Sequence, residues 1–216
     1  MQRICQRLQN TDVPTKWLFY GDSITHGCTH TMGQRDYVEL FAERVRGELG
    51  RFQDLILNAA ISGNTTRQLL DDYDWRVGQF APDVVFLMIG MNDCSSNNDL
   101  SLDVFKANLQ TLADRLQNDN AQLVLQTTCP ILPGSTPERE PHFPAYMDAI
   151  RELAASAHLP LIDHTRLWPA DLDALYYWMN NAFHPNEYGH RAFAFELFRA
   201  LNIFDATSPT CRLFLP

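Results

Sequence analysis

The run of six apolar residues at positions 84–89, Val-Val-Phe-Leu-Met-Ile, is the feature that most limits the possible folds. It has no polar residue on either face, and strands of this kind lie at the centre of parallel sheets that helices cover on both sides. Pro82 and Asp83 precede it and Gly90 follows it, so turn residues bound a segment of strand length. The run therefore predicts a central parallel strand.

Shorter apolar runs alternate with helical repeats along the rest of the chain. Further strands are predicted at 17–20 (the strand ending at Ser23), 55–57, 123–125 and 159–162, and helical spacing of apolar residues occurs at 38–49, 66–70, 102–116, 146–157 and 194–201. Five alternations predict an α/β fold with a five-stranded parallel sheet and right-handed crossovers. We expect one domain over 1–216, with a polar lead-in at 1–15 and an unassigned tail at 203–216.

Composition narrows the class of partners. The net charge is −9 without a basic cluster, which argues against binding to nucleic acid or an anionic membrane. The five cysteines are scattered with no C-x-x-C pair, so neither a zinc site nor a disulfide framework is indicated. No stretch has the length and apolarity of a membrane span. These observations predict a soluble, cytoplasmic protein without a metal.

Polar residues follow three successive predicted strands: Ser23, Gly63 and Asn92. In an open parallel sheet the carboxyl ends of the strands form the ligand crevice, so these residues are expected to meet there. Ser23 precedes a predicted helix, whose first N–H groups favour negative charge. Its structural alternative is an ordinary capped turn.

A serine nucleophile needs a general base. Among the seven histidines, His184 is the best candidate, because it lies in a loop before Pro185, a residue that can begin a helix. His26 and His30 lie in the loop after Ser23 and are candidate pocket walls. The remaining histidines are interpreted as surface or packing residues.

Acyl transfer also needs donors for the developing oxyanion. The N–H groups of Gly63 and Ser23 and the side-chain amide of Asn92 are candidates. Taken alone, Gly63 is more typical of a turn, and Asn92 of a helix cap or an Asx turn. Their joint occurrence after successive strands favours the catalytic interpretation.

Four blocks of the chain resemble the GDSL/SGNH hydrolase superfamily of esterases and lipases. They are Gly-Asp-Ser-Ile-Thr at 21–25, the segment 59–66 around Gly63, Gly-Met-Asn-Asp at 90–93, and His-Pro-Asn at 184–186 followed by Gly-His at 189–190. The resemblance implies a flavodoxin-like α/β/α sandwich without metal or organic cofactor. It implies Ser23 as nucleophile, His184 as base, and Ser23, Gly63 and Asn92 as the oxyanion hole.

One position departs from the family pattern. The family carries an aspartate three residues before its histidine, and this chain has Asn181 there. Asn181 or a backbone carbonyl could orient His184 in a Ser–His dyad, which is the favoured reading. Alternatively another carboxylate, with Asp163 as first candidate, could supply the acid, or the site could be a weakened one. Asp22 is expected to brace the turn around Ser23.

The predicted function is that of a carboxylic-ester hydrolase acting on a small-molecule ester through an acyl-enzyme. Short acyl groups are favoured, such as acetyl on a sugar; lysophospholipid or thioester substrates, or a silent binding protein, are the alternatives. An aromatic cluster before the base could line a pocket, although core packing is the favoured interpretation: Trp168, Tyr176, Tyr177, Trp178 and Phe183. The proline-rich segment 129–144 is a candidate mobile or functional loop.

Overall fold

The computed structural model describes all 216 residues. Five strands form one sheet: β1 (Lys16–Gly21), β2 (Leu55–Asn58), β3 (Val84–Met88), β4 (Gln122–Gln126) and β5 (Leu161–Ile162). The strand order is β2-β1-β3-β4-β5, and every neighbouring pair is parallel. This is the flavodoxin-like order. The predicted α/β class and five-stranded parallel sheet are confirmed.

Helices cover both faces of the sheet. They are α1 (Gln2–Gln9), α2 (Ser23–His26), α3 (Tyr37–Ala42), α4 (Thr66–Asp71), α5 (Tyr73–Arg76), α6 (Leu102–Asn118), α7 (Phe143–Ser156), α8 (His164–Leu167), α9 (Leu172–Trp178) and α10 (Glu187–Ala200). α4, α6 and α7 pack together on one face, while α3 packs with α10 on the other. A π-helical segment, Glu43–Glu48, continues α3, and the tail contains a short 3₁₀ turn at Thr210–Arg212. None of these helices combines the length and apolarity needed to cross a membrane.

An aromatic stack on β1 and β3 holds the centre of the sheet. The Phe19 and Phe86 rings stack at 4.7 Å between centroids, and Phe41 of α3 packs edge-on against Phe19 at 5.2 Å. Trp17 lies against both Phe41 and Phe86. All four side chains are fully buried. Burial of each such ring is worth roughly 2–3 kcal/mol, so this stack fixes β1 against β3 and with it the loops that follow them.

Two element boundaries differ from the prediction because of capping. β1 ends at Gly21 rather than Ser23, since Asp22 is the N-cap of α2 and its Oδ1 accepts the Ile24 N–H at 2.9 Å. The last helix begins at Glu187, because Asn186 Oδ1 accepts the N–H of Tyr188 at 2.8 Å. Pro185 therefore does not open that helix; it forms a β-bridge with Met179.

A glycine is required at position 21, where β1 lies beside Met88 of β3. A Cβ at this position would overlap the backbone carbonyl oxygen of Met88, which is fixed in the sheet. The chain can make this contact only without a side chain. Gly21 thereby sets the position at which the strand ends and the Asp22–Ser23 turn begins.

We predict that Gly21→Ala lowers the free energy of unfolding by about 3 kcal/mol, because neither backbone can retreat from the overlap. Urea unfolding monitored by circular dichroism would measure the change. Gly47→Ala is the matched control: its Cβ would meet only the flexible Glu43 side chain, at 3.3 Å. The control should stay within about 1 kcal/mol of the parent. Equal losses in both variants would contradict the steric argument.

Candidate active site

Ser23 and His184 meet above the carboxyl end of β1. Ser23 is the first residue of α2, and its Oγ lies 2.8 Å from His184 Nε2. The two residues are 7% and 9% exposed, so the hydrogen bond is largely shielded from water but can be reached from one side. This is the separation at which a base can take a hydroxyl proton. The two predicted partners are therefore in contact.

Asn181 fixes which nitrogen of His184 carries the proton. Its Oδ1 accepts the backbone N–H groups of His184 at 3.0 Å and Phe183 at 3.2 Å. These two donors orient the amide, because the Nδ2 group in the same place would face them donor to donor. The same Oδ1 lies 3.0 Å from His184 Nδ1. His184 therefore carries its proton on Nδ1, and the Nε2 lone pair is left for the Ser23 hydroxyl.

The environment of His184 disfavours its charged form. Burial, together with the nearby His30 and Arg139, lowers the pKa of His184 to about 3. His30 is stacked on the His184 ring at 3.7 Å between centroids with an angle of 8°. His30 Nδ1 in turn lies 3.4 Å from Asn180 Oδ1. His30, expected as a pocket wall, is thus a direct neighbour of the candidate base.

The three predicted oxyanion donors follow β1, β2 and β3 at the same edge of the sheet. The backbone N–H groups of Ser23 and Gly63 have no acceptor within the protein. Gly63 has a φ of +84° and open space where a Cβ would project. Asn92 Nδ2 donates one of its two hydrogens to the carbonyl oxygen of Asn64 at 2.9 Å, which leaves the other free. These are the donor types that stabilise an oxyanion.

Two buried aspartates adjoin candidate donors in the sequence, Asp22 beside Ser23 and Asp93 beside Asn92. Asp22 and Asp93 are fully buried, and each leaves its Oδ2 without a hydrogen-bond partner. Burial raises the pKa of Asp22 to about 7, with the charge of Asp93 adding to the effect, and burial raises the pKa of Asp93 to about 6. Asp93 Oδ1 accepts from the N–H and hydroxyl of Thr66, which holds the start of α4. Asp22 caps α2 and Asp93 holds the start of α4, and neither carboxyl makes a hydrogen bond to His184.

Asp163 does not supply the missing acid. Its carboxylate is bound by Arg151 at 2.8 Å and by the Thr127 hydroxyl at 3.0 Å, and it makes no hydrogen bond to His184. Of the histidines interpreted as surface or packing residues, two are fully buried. His190 accepts the Tyr37 N–H through Nδ1, and His164 pairs with Glu196 and Gln126.

The proline-rich segment is anchored to the site. Leu132 N–H donates to the carbonyl oxygen of Ala182 at 2.8 Å, and Glu140 accepts the N–H groups of residues 134, 135 and 136. Arg139 from this segment donates through Nε to the Met91 carbonyl oxygen at 3.3 Å and lies over the Phe183 ring at 4.2 Å. The segment thus connects the Asn92 loop to the His184 loop, which sequence patterns did not reveal.

The aromatic residues before His184 divide into two groups. Trp168 is buried, and Trp178 and Phe183 are half-buried against the core. Tyr176 and Tyr177 are 59% and 63% exposed. The predicted core packing therefore holds for part of the cluster only. The structure contains no group of three His, Cys, Asp or Glu side chains placed to hold a metal ion.

A family model supports the relationship that these residues suggest. The model of the GDSL-like lipase/acylhydrolase family matches residues 19–192, which is most of the chain. The match runs from β1 into α10 and contains Ser23, Gly63, Asn92 and His184.

Solved structures with the same fold include esterases and a lipase. The lipase/acylhydrolase of Enterococcus faecalis superposes with a TM-score of 0.75 at 24% identity, over 86% of this chain and 94% of that one. The acetyl xylan esterase AlAXEase superposes with a TM-score of 0.71 at 25% identity, over 86% of this chain and 98% of that one. A protein of Mycoplasma pneumoniae is 33% identical over 119 residues, which are 53% of this chain but only 13% of that protein.

We predict that ¹⁵N-detected NMR finds His184 neutral, with Nδ1 protonated and Nε2 unprotonated, at pH 7. Because the pKa of His184 is lowered to about 3, the ring should stay neutral as the pH falls below 6.5 and become protonated only near pH 3. Asn181→Ala removes the acceptor and should abolish the preference for the Nδ1–H form. An Nε2–H ring in the parent protein would contradict the proposed orientation of Asn181.

Proposed function

The chain belongs to the GDSL-like lipase/acylhydrolase family, and on that premise we propose that it is a serine-dependent carboxylic-ester hydrolase that works through an acyl-enzyme. The observation that carries the proposal is the 2.8 Å contact between Ser23 Oγ and the Nε2 lone pair of His184. A binding crevice alone has no use for a hydroxyl paired with a neutral, oriented imidazole beside three N–H donors.

The geometry supports a two-step reaction. His184 Nε2 takes the hydroxyl proton as Ser23 Oγ forms a bond to the ester carbonyl carbon, and the carbonyl oxygen becomes an oxyanion. The N–H groups of Ser23, Gly63 and Asn92 stabilise that charge. The C–O bond then breaks, and His184 returns its proton to the leaving alcohol. Water repeats the sequence on the acyl-enzyme, with His184 again as base, and releases the acid.

We place the substrate among esters of short acyl groups, with acetylated carbohydrate first. AlAXEase, which has the same fold, is by name an acetyl xylan esterase. The exposed rings of Tyr176 and Tyr177 lie in the helix that precedes the Asn180–His184 loop and offer flat apolar faces. Lysophospholipid and thioester substrates are the competing classes.

All five cysteines are unpaired, which supports a reducing compartment such as the cytoplasm.

The direct test compares the protein with Ser23→Ala on p-nitrophenyl esters of increasing acyl length and on acetylated xylo-oligosaccharides. We expect hydrolysis that depends on Ser23 and falls as the acyl chain lengthens. A fluorophosphonate should label Ser23 in the folded protein only. Hydrolysis equal to that of Ser23→Ala, without an adduct, would refute the esterase proposal, and a preference for long acyl chains would redirect it to lipids.

A second prediction concerns the missing charge. Asn181→Asp keeps an acceptor for Nδ1–H and adds a carboxylate that stabilises imidazolium, so kcat/KM at pH 8 should rise. The gain in kcat/KM should be about tenfold, which corresponds to a rise of about one unit in the pKa of His184. It should not approach the 10⁴ of a lost triad acid, because the tautomer is already correct and Asn181 is exposed to solvent.

The dependence of kcat/KM on pH tests the same variant independently of its maximal rate. A carboxylate raises the pKa of His184, and His184 must be neutral to accept the proton, so the acid limb of kcat/KM should move to higher pH. Asn181→Gln, which adds no charge, is the control and should leave the limb in place. An unchanged limb in Asn181→Asp would show that another group already supplies the charge.

A further inference from the structure

Arg76 is a buried cation that is bound mainly by a loop. It ends α5, and its side chain is 3% exposed. Its nearest carboxylate, Asp72, is 3.8 Å away and 45% exposed. Burial lowers the pKa of Arg76, which reflects the cost of keeping the charge there. Because the ion pair with Asp72 is long and partly exposed, hydrogen bonds must supply most of the compensation for burying this guanidinium.

The hydrogen bonds of Arg76 go to both ends of the loop that carries Gly63. Nε donates to the carbonyl oxygen of Ala59 at 2.9 Å, and Nη2 donates to the same oxygen. Nη1 donates to Asn64 Oδ1 at 2.5 Å. The planar guanidinium thus spans the loop from residue 59 to residue 64. The guanidinium also lies over the Tyr20 ring of β1, at 4.7 Å.

The path continues to the second candidate oxyanion donor. The backbone oxygen of Asn64, the residue that Arg76 holds through its side chain, accepts Asn92 Nδ2 at 2.9 Å. Arg76 therefore acts on Gly63 through the loop and on Asn92 through Asn64. Ser62 and Gly63 are themselves exposed. The other hydrogen bonds of this turn are those from Ile61 N–H to the Gly21 carbonyl oxygen, from Asn64 N–H to the Ile61 carbonyl oxygen, and between Ser62 and His26 Nδ1.

We propose that Arg76 is a positioning residue that aligns the N–H of Gly63 and the side-chain amide of Asn92 on a common oxyanion position. The inference rests on the proposed esterase function, and it adds a requirement that the family motifs do not contain. The fork geometry is essential to it. Lysine supplies the same charge from a single nitrogen and lacks the rigid fork that holds Ala59 and Asn64 at a fixed separation.

The test compares Arg76→Lys with Arg51→Lys. Arg51 is the matched control, because it is 2% exposed and binds the loop carbonyls of Arg7, Asn10 and Val13. It lies beside the amino-terminal end of β2, at the opposite edge from Ser23. Both variants should lose thermal stability. Only Arg76→Lys should lose kcat on p-nitrophenyl acetate, by about 10–100-fold with KM within about threefold, since a whole donor is worth about 10²–10³.

A second readout does not depend on turnover. The side-chain NH₂ resonances of Asn92, assigned by their loss in Asn92→Ala, should shift in Arg76→Lys and stay in place in Arg51→Lys. Should Arg76→Lys fail to fold, Asn64→Ala removes one acceptor of Arg76 and should show both effects, more weakly.

The two proposals fail in different ways. If the parent protein hydrolyses no more ester than Ser23→Ala, the esterase proposal is refuted, and the Asn92 resonances alone decide whether Arg76 aligns the amide. If the parent is active, a kcat in Arg76→Lys equal to that of Arg51→Lys overturns the positioning role. Unchanged Asn92 resonances overturn it in either case.

Discussion

The hydrogen bond between Ser23 Oγ and His184 Nε2 joins residues that are 161 positions apart, and the parallel sheet makes it possible. Parallel strands place their carboxyl ends at one edge, so loops far apart in sequence open into one crevice. The register of β1 against β3 is fixed by the contact of Gly21 with Met88 and by the Phe19–Phe86 stack two residues earlier in each strand. A shift of either strand would separate the hydroxyl from its base.

Charge at this edge is controlled mainly by burial. His184 and His190 have a pKa lowered to about 3, so the unfolded chain binds more protons than the folded one below pH 6.5, and stability is lost as the pH falls through that range. Asp22 and Asp93 have raised pKa values of about 7 and 6, so their folded forms hold protons that the unfolded chain releases above 3.8. Their contribution is lost as the pH rises toward 7. The two effects on stability oppose each other as the pH changes between 3.8 and 6.5, and the titration of Asp22, with its pKa of about 7, continues above that range.

Sequence patterns predicted what depends on local chemistry and strand periodicity. The apolar run at 84–89 gave β3 almost to the residue, and the loops after the strands brought Ser23, Gly63, Asn92 and His184 to one edge. Patterns could not find Arg76, because its role depends on the turn that directs α5 back over residues 59–64. Nor could they fix the orientation of Asn181, which is set by backbone N–H groups of the loop in which it lies.

A neutral partner for the base is consistent with this electrostatic setting. In the resting protein the Ser23–His184 pair carries no charge, and Asn181 orients the imidazole without adding one. A carboxylate at position 181 would favour imidazolium, both in the transition state and in the resting enzyme at low pH. The amide of Asn181 does not stabilise imidazolium in the transition state, and it does not promote protonation of the resting enzyme. In the proposed mechanism the missing carboxylate therefore reduces the stabilisation of imidazolium alone, and the N–H donors proposed for the oxyanion act on the opposite charge of the transition state.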